Sequence, residues 1–217
     1  MKIGTTRVET FSDGVIAIII TIMVLSLKLP DINHRDSAWT VRHQLYELLP
    51  YFVAYAFSFL MIGIFWTNHH HMFHMLEKTD ETLLLLNLLF LFWMSLIPIT
   101  TAMMGANPTV SDSVALYGFI MLMTTLSFAI MRTYTLRKNL VHRDRDKDIT
   151  AKIRWVSLKA RSKSYIGTAA YLLSVPLSYV SIYLAYIFFL IPPFVFFIPD
   201  GIDDERLANR IEEKNFR

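Results

Sequence analysis

The sequence predicts an all-α membrane protein, and three observations carry that prediction. The 217-residue chain is 54% hydrophobic and only 18% charged, with a mean hydropathy of +0.41. A soluble domain carries about 45–50% apolar and about 25% charged residues. Four stretches, 48–76, 83–111, 113–131 and 164–199, contain no Asp, Glu, Lys or Arg. The basic residues, in turn, gather in a few connecting segments. Together these features exclude a soluble enzyme, a disordered chain and a β-barrel. The absence of cysteine excludes a disulfide scaffold and any thiolate metal site.

Six transmembrane helices follow from the charge-free stretches. A spanning helix needs roughly 20 mostly apolar residues to cross about 30 Å of hydrocarbon. The first three stretches hold one span each, expected over 48–70, 82–105 and 113–137. The fourth is too long for one helix. Pro176, with Ser174, Ser178, Tyr179 and Ser181 around it, suggests a tight turn between helices over 160–176 and 178–198. Pro192 and Pro193 should kink the last helix or end its regular part. Residues 199–217 form a cytoplasmic tail, and the whole chain reads as one six-helix domain.

The N-terminal helix, expected over 6–29, is different. Its uncharged part, 14–27, covers only about 21 Å as an α-helix. Either Asp13 lies within the membrane thickness or the helix is shielded from lipid by protein. No cleavable signal peptide is expected, because Arg7 and Glu9 both precede the apolar stretch and no small-residue cleavage site follows it.

Basic residues set the orientation. Eighteen of the 21 fall on one side, supplied by the N-terminus, Lys78, the segment from Arg132 to Lys163 and the tail. Lys28, Arg35 and Arg42 fall on the other. Both termini are therefore expected in the cytoplasm of a multi-pass cell-membrane protein. The basic segment between the fourth and fifth helices reads first as a topology signal with solvated helix ends. Binding of anionic lipid headgroups is the sharper alternative. No nucleic-acid partner is expected, because Asp144, Asp146 and Asp148 alternate with the basic residues there.

On a helical wheel Ile18, Ile22, Leu25 and Leu29 share one stripe, with Thr21 and Gly14 at its edge. Spacing alone makes this ordinary helix packing. Asp13 lies ~140° from Ile18 on that wheel. A lone intramembrane carboxylate needs a partner. It can serve as an interhelical clamp, as an ion or proton ligand, or as a cap at the helix N-terminus. His69, His70, His71 and His74 cluster near the end of the second helix. Hydrogen bonding, with His69 directed toward the first helix, is the leading reading, ahead of a pH-responsive contact. A metal site, suggested by His70 and His74 one helical turn apart, ranks last and is not expected, since no motif brings acidic or cysteine ligands to these histidines.

Arg7, Phe11, Ser12 and Asp13 read RxxxFSD. Trp66 and His69 read W-x-x-H, and Asn87 precedes Leu88-Leu89-Phe90-Leu91 and then Pro98. This set resembles the endosomal/lysosomal-type potassium channel family in its bacterial single-repeat branch. The resemblance implies a homotetramer, with the first helices of four subunits lining a central pore. It implies a constriction at Ile18, further pore layers at Ile22 and Leu25, and a role in ion preference for Thr21. Arg7, Phe11, Ser12, Asp13, Trp66, His69 and Asn87 would form its structural motif, with Arg7 and Ser12 joining Asp13 to hold the pore helix.

It further implies a hydrophobic gate and modest potassium-over-sodium selectivity. Potassium ions and membrane lipids would be the partners, with no cofactor beyond the permeant ion. The chain lacks the TVGYG carbonyl filter. A secondary transporter or a proton-permeable leak channel is the competing function. Enzymatic activity is not expected, because no nucleophile or metal motif accompanies Asp13 and the histidines.

Overall fold

A computed structural model of the chain describes residues 4–27, 38–141 and 147–197. Leu29, Lys28, Arg35, the loop carboxylates Asp144 and Asp146, and the expected tail 199–217 lie outside the described residues. Every named element among the described residues is a helix, and one isolated bridge joins Leu76 to Val141 in the connections. Its elements are α1 (Thr5–Ile22), a short 3-10 extension (Met23–Ser26), α2 (Ala38–His74), α3 (Glu81–Ser95), α4 (Ile97–Ala106), α5 (Ser111–Arg137), α6 (Lys147–Val180) and α7 (Ile182–Phe197).

These elements make six rods. The third rod is α3 followed by α4, broken at Leu96 two residues before Pro98. Proline fits the first turn of α4, where its missing N–H would have no intrahelical partner. Four rods are long and apolar enough to cross a membrane: Thr5–Leu25, Leu45–His74, Glu81–Ala106 and Ser111–Arg137. The protein is a multi-pass membrane protein.

Helix ends differ from the hydropathy reading in an instructive way. α2 begins at Ala38 rather than near 48, and α6 at Lys147 rather than near 160. A charge-free run marks the hydrocarbon thickness, whereas the helix continues into water. The expected turn at Pro176 is corrected: α6 runs through it to Val180, and the break falls at Ser181. Membrane helices tolerate proline when neighbours and hydroxyls compensate the disturbed ladder. α6 is held along its length by packing on α5 and α7, and in the turns around Pro176 the Ser174 and Ser178 hydroxyls donate to the Tyr171 and Val175 carbonyls, each at 2.7 Å. α7 also continues through Pro192 and Pro193, so these prolines do not end it.

α5 is the central rod. It packs on α3, α4, α6 and α7, and most of its surface is buried. Its small and hydroxylated positions, such as Ala115, Gly118, Thr124 and Thr125, let neighbours approach closely. Tyr117 lies fully buried, its hydroxyl 2.9 Å from Ser58 of α2, while Thr101 of α4 donates to Ser58 at 2.8 Å. α5 closes on Asn139, in the left-handed region at φ 53°, and Leu140 N–H reaches back to the Thr135 carbonyl at 3.0 Å. Left-handed asparagine is a common helix stop.

One end of the bundle gathers the α2–α3 and α5–α6 connections, where Glu77 N–H donates to the Leu140 carbonyl at 2.9 Å. The N-terminal part of α1 lies on the same side, beside the end of α2. At the opposite end Tyr179 donates to Asp112 at 2.9 Å and Tyr186 to the Pro108 carbonyl at 2.7 Å. Arg132 and Lys163 are buried rather than solvated, contrary to the reading of the basic segment. The Arg132 guanidinium donates to the Asn68 carbonyl at 3.2 Å and sits 4.8 Å from the centre of the Phe128 ring.

α2 and α4 meet closely at Gly105, where an added Cβ would stand 2.9 Å from the Tyr51 Cα. Gly105→Ala should therefore lower the melting temperature in detergent, at a cost of about 1–3 kcal/mol. At Gly63 a Cβ meets nothing within 4 Å, so Gly63→Ala should leave the melt unchanged or raise it. Equal thermal shifts in the two variants would contradict the close approach.

Candidate functional site: the α1 clamp and its open face

The site begins with α1. Val8, Ser12, Ile16 and Ile19 are its buried residues, and they form one stripe that packs on α2 and α3. Ser12 is fully buried; its hydroxyl donates to the Val8 carbonyl at 2.8 Å and accepts from Asn87 Nδ2 at 2.8 Å. Asn87 Oδ1 lies 2.8 Å from His69 Nε2. Because that oxygen can only accept, Nε2 carries the proton and the imidazole Nδ1 is the acceptor. His69 is enclosed by Phe73 and Phe90, with ring centres 4.3 Å and 5.8 Å away. Ser12, Asn87 and His69 thus tie α1, α3 and α2 together through buried polar contacts.

A second contact lies beside the first. Trp66 Nε1 donates to Asp13 Oδ1 at 3.0 Å. The W-x-x-H pair therefore works in two directions: Trp66 holds α1 directly, and His69 holds α3. One turn further along both helices, His70 Nδ1 lies 3.0 Å from Glu9 Oε1. Asp13 with Trp66 and Glu9 with His70 are consecutive rungs of an antiparallel helix pair. The Trp66 and His70 rings stack at 6.0 Å.

The expected motif is assembled for Ser12, Asp13, Trp66, His69 and Asn87. Arg7 is different: it is exposed, and among the described residues no ion pair reaches it, so it does not join Asp13 within the subunit. Phe11 is exposed as well. Glu9 and His70 were not paired by the sequence reading. The signal was present as spacing, since Glu9 precedes Asp13 by four and His70 follows Trp66 by four. No motif brings acidic ligands to the histidines, but the fold does: α1 supplies Glu9 and Asp13 across the interface.

The other face of α1 is open. Ile18 is 58% exposed, Ile22 48% and Leu25 78%, in a helix otherwise held firmly to its own subunit. Thr21 lies at the edge of this stripe. Its hydroxyl is 2.9 Å from both the Ala17 and the Ile18 carbonyls. The proton is therefore directed into the helix, which leaves the oxygen lone pairs free to face outward.

Residues 7–98 match the family described as endosomal/lysosomal potassium channel TMEM175. A potassium channel from Chryseobacterium sp. (strain P1-3) is 38% identical over 194 residues, covering 89% of this chain and 93% of that protein. The chain belongs to the TMEM175 family. A potassium channel from Streptomyces collinus is 33% identical, covering 81% of this chain and 82% of that one. The crystal structure of a lysosomal potassium-selective TMEM175 homologue from Chamaesiphon minutus superposes with a TM-score of 0.70. It is 27% identical and covers 91% of this chain and 98% of that one. TMEM175 proteins are ion channels, not enzymes. The family match includes every residue of the α1 clamp.

The clamp yields a graded expectation. Asn87→Leu leaves the buried His69 Nε2–H without a partner, at about 1–3 kcal/mol, while Ser12 keeps its bond to the Val8 carbonyl. Trp66→Phe keeps the ring and frees only the half-buried Asp13, costing about 1 kcal/mol. Thermal melts in detergent should rank the two variants in that order; equal melting temperatures would contradict the Asn87-centred arrangement.

Proposed function

We propose that this TMEM175 protein is a potassium-permeable cation channel that assembles as a homotetramer. The α1 helices of four subunits surround the axis. The single observation that carries this reading is the uncovered stripe of Ile18, Ile22 and Leu25 on a helix whose other side is clamped by polar contacts. An uncovered hydrocarbon stripe suits either lipid or neighbouring copies, and membership of a channel family supports the copies. Four copies facing one another would form an apolar neck.

Such a neck gates by dewetting, because a narrow apolar constriction excludes water and with it ions. Ile18 is the gate, with Ile22 and Leu25 as further layers. Opening requires the α1 helices to separate or rotate until the neck hydrates. Backbone carbonyls cannot select the ion, since those of a membrane helix are already paired. Thr21 supports a modest potassium preference, because its lone pairs face away from the helix. The names of the Chryseobacterium and Streptomyces relatives support potassium as the permeant ion. The basic asymmetry supports a cell-membrane protein with both termini cytoplasmic.

Purified protein in potassium-loaded liposomes should release potassium down its gradient without carrier-like saturation. Saturating or absent flux would overturn the channel reading. Ile18→Asn should raise the flux severalfold by hydrating the neck. Unchanged flux in protein that elutes normally would remove Ile18 from the gate. Chemical crosslinking should end at a tetramer, and a ladder ending at a dimer would exclude a four-helix pore.

A further inference from the structure

Glu9, Asp13 and His70 offer ligand atoms that all lie within 4.8 Å of one another. The two carboxylates come from successive turns of α1, and the imidazole comes from α2. Two ligand atoms on a tetrahedral zinc ion lie about 3.3 Å apart. The 3.0 Å between His70 Nδ1 and Glu9 Oε1 is already close to that separation. Trp66 fixes Asp13 by donating to Oδ1, which leaves Oδ2 available as a ligand. A donor that orients a ligating carboxylate in this way is the usual outer shell of a metal site. The cluster is also reachable: the His70 side chain is 47% exposed and that of Glu9 19%.

We propose that Glu9, Asp13 and His70 form a binding site for a divalent transition metal of the zinc class, bridging α1 and α2. Mixed imidazole and carboxylate donors suit zinc and its neighbours better than calcium or magnesium, which prefer oxygen alone. Three protein ligands leave a fourth position for water. The bridge includes Asp13, which Trp66 already holds, so a bound metal would strengthen the same joint that holds α1 on its subunit. Binding itself is independent of whether the chain conducts ions.

The test is titration of the full-length, detergent-solubilised protein with zinc chloride by isothermal calorimetry. One saturable site per chain is expected. Glu9→Gln and His70→Gln, which spare the Ser12–Asn87–His69 contacts, should each weaken it at least about 100-fold, and Trp66→Phe about tenfold. His43→Ala, at a histidine elsewhere on α2, should bind as the wild type does. Zinc-edge X-ray absorption of the wild-type protein gives a measurement that needs no variant. It should find one imidazole with oxygen ligands at about 2.0–2.1 Å. No saturable binding, affinity unchanged in both ligand variants, displacement of zinc by equal calcium, or a spectrum without imidazole would each overturn the site.

Discussion

The structure depends on how an amide buried in the third rod satisfies two other helices at once. Asn87 donates to Ser12 and accepts from His69. In a membrane bundle apolar side chains do not fix helix register, because lipid tails are as apolar as leucine. Register must come from close packing and from polar groups that have no alternative partner. Asn87 sets the rotation of α1 about its own axis. Once Ser12 faces inward, Ile18, Ile22 and Leu25 must face outward, since helical geometry allows no independent choice.

The same constraint explains why polar residues cluster near one end of α1. Asp13 is expensive in hydrocarbon unless partnered. Trp66 meets that need with a donor whose ring also packs, and the next turn repeats the logic with Glu9 and His70. Polar rungs on one side and a hydrocarbon stripe on the other give α1 two unlike faces. One is committed to its own subunit, and the other is available to neighbouring copies. The central rod, α5, carries no comparable polarity of faces, because it is covered nearly all round.

Much of this was legible in the sequence. Ser12 and Asp13 of FSD, both ends of W-x-x-H, and Asn87 are the residues that meet, and the helical wheel places Ile18, Ile22 and Leu25 together. The motif groups Arg7 with Asp13, yet among the described residues of the subunit Arg7 is exposed and no ion pair joins the two. Glu9 and His70 were not paired, because their contact requires the antiparallel register of α1 against α2. That register follows from Trp66 reaching Asp13, and no local pattern contains it.

Hydropathy determined that the chain crosses a membrane several times, because charge is excluded from hydrocarbon wherever it lies in the sequence. It also placed Ile18, Ile22 and Leu25 on one stripe of α1, because helix periodicity is local; that the stripe faces outward was decided by the Asn87–Ser12 contact. Tertiary structure decided the rest. It placed the α6–α7 break at Ser181 rather than Pro176, since packing on α5 and α7 holds α6 helical through a proline that would disturb an isolated helix. It buried Arg132 and Lys163 among α5 and α6. It also brought two carboxylates of one helix against an imidazole of another, a proximity that depends on which helices pack and in what register.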